Sequence, residues 1–122
     1  MAAINGQWIG VDLDGTLARF DGWRGIDHIG EPIMPMVERV RKWLEEGKNV
    51  RIMTARAFYL PNDEASIREA IQAVSVVQLW CLNVFGRVLP VRSQKDYSML
   101  ELWDDRAIQV EFNTGRRMGG LE

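Results

Sequence analysis

Apolar positions along this chain recur with two different periods, and the switches between them mark its elements. Trp8 to Val11 is a short unbroken apolar run that reads as a buried strand. Ile33, Val37, Val40 and Leu44 then fall at helical spacing. Pro35 suits the first turn of that helix and Gly47 is a stop signal. Asn49 to Met53 reads as a second strand. Asn62-Asp63-Glu64 and the Ser66-x-x-Glu69 capping pattern start a long helix. Ile67, Ile71, Val74, Gln78 and Leu82 carry that helix towards Gly86. Val88 to Val91 predicts a third strand, and Pro90 inside it places it at a sheet edge. Leu100 to Trp103 predicts a fourth. The alternation over Ile108–Phe112 predicts a fifth. Residues 18–33 are polar, with Gly22, Gly25, Gly30, Pro32 and the single His28, and read as a flap. Residues 113–122 read as a loose tail.

Strand, helix, strand, helix, strand implies an α/β fold built on parallel pairing. The expectation is a mainly parallel sheet of four to five strands with flanking helices. The 122 residues fit one domain, 1–122, and no repeat or linker divides them. Ligands in such sheets bind beyond the carboxyl ends of the strands. Asp12, Thr54 and Asp104 all lie at predicted carboxyl ends, so three residues distant in sequence are expected on one rim.

That rim draws attention to Asp12-Leu13-Asp14-Gly15-Thr16. A carboxylate at the end of a buried strand is costly unless it is paired, and here there are two. Residues i and i+2 of a strand point the same way, so Asp12 and Asp14 are expected to face one pocket. A carboxylate attacks phosphorus when a cation offsets the phosphate charge. A second carboxyl group protonates the leaving oxygen and then activates water. Gly15 allows a sharp turn, and Thr16 offers a hydroxyl and an amide. The competing reading is a strand ending in a plain Asp-Gly turn capped by Asp14.

Composition narrows the choice only a little. Hydrophobic residues make up 47% and charged residues 26%, ordinary for a globular protein, and the net charge of −2 argues against a nucleic-acid field over the whole surface. A local basic patch stays open, since 12 of the 15 basic residues are Arg. The single Cys81 rules out an internal disulfide and a Cys-based zinc site and reads as a buried small hydrophobe. No apolar run approaches membrane-spanning length and no leader pattern is visible, so the cytoplasm is the expected location. Five Trp belong to the core or to an interface.

The order of motifs resembles the haloacid dehalogenase-like superfamily, most of whose members are magnesium-dependent phosphatases that work through an aspartyl-phosphate. Ile9-Gly10-Val11-Asp12-Leu13-Asp14-Gly15-Thr16-Leu17 resembles its first motif, and Arg51-Ile52-Met53-Thr54-Ala55-Arg56 the second. Lys95 resembles the third, and Leu102-Trp103-Asp104-Asp105-Arg106 the fourth. The resemblance implies a reduced, Rossmannoid, capless domain. It implies Asp12, Asp14, Thr54 and Lys95 as catalytic residues and Thr16 and Arg56 as substrate-binding. Mg2+ is implied on Asp12, the Asp14 carbonyl, Asp104 and Asp105, with Asp104 the nearer of the last two. Two departures stand out: only nine positions separate Lys95 from Asp104, too few for a crossover helix, and no cap fits between the motifs. The expected substrate is a phosphorylated small molecule or a nucleic-acid end, as for 3′-phosphatase domains, whose Asp-Asp-Arg stretch is similar. A binding module that keeps the fold without catalysis is the third possibility. His28, Trp23 and Arg24 read first as structural or exposed, with substrate contact as the lesser reading. The missing cap favours a closing flap or a homo-oligomer that covers the site.

Overall fold

A computed structural model describes residues 6–119. Strand β1 (Trp8–Asp12) is followed by helix α1 (Met34–Glu45), β2 (Val50–Met53), a single 3-10 turn (Ala55–Ala57), helix α2 (Glu64–Phe85), β3 (Val91–Arg92) and β4 (Met99–Trp103). The four strands form one wholly parallel sheet in the order β3-β2-β1-β4. The chain is therefore an α/β protein with a small Rossmann-like sheet. Among the described residues, no helix is long and apolar enough to cross a membrane.

Local chemistry sets the helix ends. Pro35 sits in the first turn of α1, where its missing N–H leaves no bond broken, and Gly47 follows the helix at φ +79°. Asp63 caps α2 by accepting from the Ser66 N–H at 3.0 Å, and Gly86 ends it in the left-handed conformation.

Both helices pack on one face of the sheet. Ile9 and Val11 of β1, Val50 and Ile52 of β2 and Val91 of β3 form one cluster with Val37 and Val40 of α1 and Val77 and Cys81 of α2. The residues of alternate parity face the other way. There the 93–98 connection passes: the Trp8 Nε1–H donates to Asp96 Oδ1 at 2.8 Å, and Arg51 lies over the Trp8 ring. Six residues thus carry the chain from one edge of the sheet to the other without a helix.

Four expectations change. The strand expected over 108–112 does not join the sheet. Val110 pairs instead with Arg117 in an isolated bridge, with Met118 N–H donating to Gln109 O at 2.9 Å. Ile108, Val110 and Phe112 are exposed, so the alternation has no core to face. Of the tail expected over 113–122, residues 113–119 make the return of that turn and 120–122 lie outside the described residues. The third strand is shorter and later than 88–91; it is on the edge, and Pro90 takes part only through its carbonyl, which accepts from the Ile52 N–H. Helix α2 is rotated from the expected face. It buries Ala70, Ala73, Val77 and Cys81, while Ile71 and Leu82 are exposed. Small side chains let the helix approach the sheet, and the bulkier stripe turns outward.

Candidate active site

The carboxyl ends of β1, β2 and β4 meet around one pocket of about 710 Å3. Asp12 and Asp14 come from the end of β1, Thr54 and Arg56 from the end of β2, and Asp104 and Asp105 from the end of β4. The register Val11↔Trp103 and Asp12↔Met53 fixes those ends level with one another. Parallel pairing alone therefore gathers six of the sequence-predicted residues.

Asp12, Asp104 and Asp105 each offer an oxygen, and these atoms lie within 4.8 Å of one another. Three carboxylates this close repel. Burial raises the Asp12 carboxyl from 3.8 to about 7, and the hydrogen bond with Asp105 and the Asp104 and Asp105 charges push the same way. Asp105 moves in the opposite direction. Its partial burial works against ionisation, but the hydrogen bonds from Asp12, Thr16 and its own N–H outweigh that and hold it below the usual carboxylate range.

Thr16 ties the two loops together. Its hydroxyl lies 3.0 Å from Asp105 Oδ1 and 3.3 Å from Asp12 Oδ2, and it accepts from the Asp105 N–H at 2.9 Å. Gly15 is required beside it. At φ +92°, a Cβ there would sit 2.7 Å from Asp105 Oδ2.

Asp14 stands apart from the other three. Arg56 donates to both of its oxygens, from Nε at 2.7 Å and from Nη2 at 2.9 Å. The pair is well covered, with the Arg56 side chain 6% exposed and that of Asp14 20%. The same guanidinium donates to the carbonyls of His28 at 2.9 Å and Ile26 at 3.3 Å, and lies 4.9 Å from the Trp23 ring centre. Arg56 therefore fastens the 18–33 segment to the rim. At its base that segment is closed by the Arg19 N–H donating to Glu31 O and the Ile33 N–H to Leu17 O. Phe20 and Trp23 from it line the pocket. His28 contributes its carbonyl here, and the residue also lines a smaller cavity with Asp14, Arg19, Glu31 and Arg56.

Thr54 is the one buried polar residue among the described ones, and its side chain accepts from the Arg56 N–H at 3.1 Å. Lys95 is not brought to the carboxylates. It is exposed and lines a second cleft beside α2. Met53 and Arg106, which enter the sequence reading only as parts of their motifs, also line the carboxylate pocket, as does Ser93, which was not singled out from the sequence. Ser93 follows the third strand directly, so the carboxyl-end rule that finds Thr54 would also have found it.

The donor set suits a hard divalent cation: three carboxylate oxygens, with no nitrogen or sulfur among them, whose mutual repulsion a cation would relieve. Searches against protein-family profiles, curated proteins and solved structures returned no match to this chain.

Proposed function

We propose that this protein is a magnesium-dependent phosphomonoester hydrolase working through an aspartyl-phosphate on Asp12, in the manner of the haloacid dehalogenase-like superfamily. The observation that carries the reading is the meeting of Asp12, Asp104 and Asp105 within 4.8 Å at the strand ends, beside Thr54 and an Arg56–Asp14 pair. An acid cluster alone would support only cation binding. A second carboxylate held by an arginine, next to a buried threonine hydroxyl, adds the groups that phosphoryl transfer uses.

Asp12, Asp104 and Asp105 would hold the magnesium, with the Asp14 carbonyl as a further ligand. The ion supplies positive charge that offsets the phosphoryl oxygens. The Asp12 carboxylate attacks phosphorus and the bond from phosphorus to the leaving oxygen breaks. The leaving oxygen takes its proton from the Asp14 carboxyl. Both Asp14 oxygens accept from Arg56 in this structure. Proton delivery therefore requires the guanidinium to move to a phosphoryl oxygen, which it matches in geometry, and the freed Asp14 carboxylate to take up a proton from solvent first. Thr54 and the amides of the loop after Asp12 hold the remaining phosphoryl oxygens. Asp14 then takes a proton from water as that water attacks phosphorus, and the bond to Asp12 breaks.

The test is a phosphatase screen over sugar phosphates, nucleotides and 3′-phosphorylated oligonucleotides, with Mg2+ and with EDTA. Turnover that requires Mg2+ and vanishes in Asp12→Asn is the expected outcome. Turnover that persists in EDTA, or in Asp12→Asn above about a tenth of the parent rate, contradicts the reading.

A further inference from the structure

Beside the carboxylate pocket lies a second cleft of about 690 Å3, between α2 and the chain leaving β3. A concave site of that size accommodates a small organic molecule. Its α2 wall is the stripe Ile67, Ile71 and Val74, which share one side of the helix. Ile71 is 63% exposed although it faces a concavity. The buried stripe of α2 is the run of small residues; Val74 packs at the margin of the core and Ile67 is half-buried, while Ile71 is left facing the cleft.

The opposite wall is cationic. Arg92 and Lys95 line it; neither forms a salt bridge among the described residues, although Arg92 donates to the Val91 carbonyl at 3.0 Å and feels the charge of Asp96. The one acid lining the cleft, Asp96, is already engaged: Trp8 Nε1–H and the Ser98 N–H both donate to its Oδ1 at 2.8 Å. Ser93 lines both this cleft and the carboxylate pocket, so the two adjoin there.

We propose that this cleft binds the leaving group of the phosphoester, and that the preferred leaving group is an apolar ring carrying a second negative charge. The ring lies on Ile67, Ile71 and Val74, and the second anion meets Arg92 and Lys95. This proposal rests on the phosphohydrolase reading for what occupies the neighbouring pocket.

The experiment compares three substrates: glycerol 3-phosphate, phenyl phosphate and 4-carboxyphenyl phosphate. KM is expected to fall at each step, by about tenfold when the ring is added. Ile71→Glu, at an exposed helical position, should raise KM for both aryl substrates by about tenfold, more than it raises KM for glycerol 3-phosphate. Arg92→Gln should remove the advantage of 4-carboxyphenyl phosphate over phenyl phosphate. Equal KM values across the three substrates, or aryl KM values indifferent to Ile71→Glu, overturn the cleft assignment while leaving the hydrolase intact. If no phosphoester is turned over, the hydrolase reading fails, and 4-carboxyphenyl phosphate is titrated against the labelled protein by amide NMR. Shifts at Ile71, Val74 and Lys95 that disappear in Ile71→Glu then sustain the cleft as a binding site, and no shift there overturns it.

Discussion

Replacing Asp12 with Asn should stabilise the metal-free protein, by an amount that grows as pH rises above about 4 and is complete above about 7. The folded chain keeps a proton on Asp12 up to about pH 7, whereas the unfolded chain releases it near 3.8. Between those values folding takes up a proton, so stability falls as pH rises, and above about 7 the whole penalty is present. At about 1.36 kcal/mol per tenfold change, the rise from 3.8 to about 7 corresponds to roughly 4 kcal/mol. Asp12 is half-buried and solvent screens the cluster, so about 2 kcal/mol is the usable figure. The amide carries no charge and escapes the penalty.

The assay is thermal unfolding of both proteins in EDTA at pH 4 and pH 8. For a domain of this size the variant should melt about 8 °C above the parent at pH 8, and the gap should close towards pH 4. Adding Mg2+ at pH 8 should raise the parent's melting temperature and leave the variant nearly unchanged, because binding to the folded state alone stabilises it. A variant less stable than the parent at pH 8 without metal would refute the reasoning. It would mean that the three carboxylates do not repel as their spacing requires.

Three further outcomes follow from the same geometry. Gly15→Ala forces a side chain into a left-handed turn against Asp105, so it should lose about 1–2 kcal/mol in denaturant unfolding and bind Mg2+ more weakly by calorimetry. Arg56→Ala leaves Asp14 covered and unpaired and frees the carbonyls of Ile26 and His28; about 2 kcal/mol of stability should be lost, with faster hydrogen exchange confined to residues 18–33. Asp14→Asn should keep Mg2+ affinity, since its side chain is outside the acid cluster, while single-turnover hydrolysis falls by about 10²–10⁴.

Much of this arrangement is legible in the sequence because it depends on strand ends. An apolar run that stops at a charged residue marks a carboxyl end whatever the rest of the fold does. Hence Asp12, Thr54 and Asp104 could be placed on one rim. The parts that were not legible depend on packing across long separations. Helix α2 is apolar on more than one side, so periodicity alone does not choose the buried face. Close approach to the sheet chose the small residues Ala70, Ala73 and Val77, and left Ile71 outside. Ile108–Phe112 alternates like a strand, but nothing in its own residues says whether a partner edge is free. The Arg56–Asp14 pair joins two strands across 42 positions, and no local signal distinguishes it from a guanidinium waiting for phosphate. Lys95 lies in a helix-free connection whose path is set by the Trp8–Asp96 bond, and that path carries it along α2 rather than to the carboxylates.

The most direct measurement is of the covalent intermediate itself. Asp14→Asn, mixed with Mg2+ and 4-nitrophenyl phosphate, whose leaving group departs without needing a proton, is quenched in acid within the first turnover, and its peptides are weighed. Without Asp14 to activate water, breakdown of the acyl phosphate should lag its formation. One phosphoryl group should then appear on the peptide containing Asp12, and be absent when Asp12 is also replaced by Asn. Steady hydrolysis with no phosphoryl group on that peptide at any quench time would contradict the account, and would make Asp12 a cation ligand rather than the nucleophile.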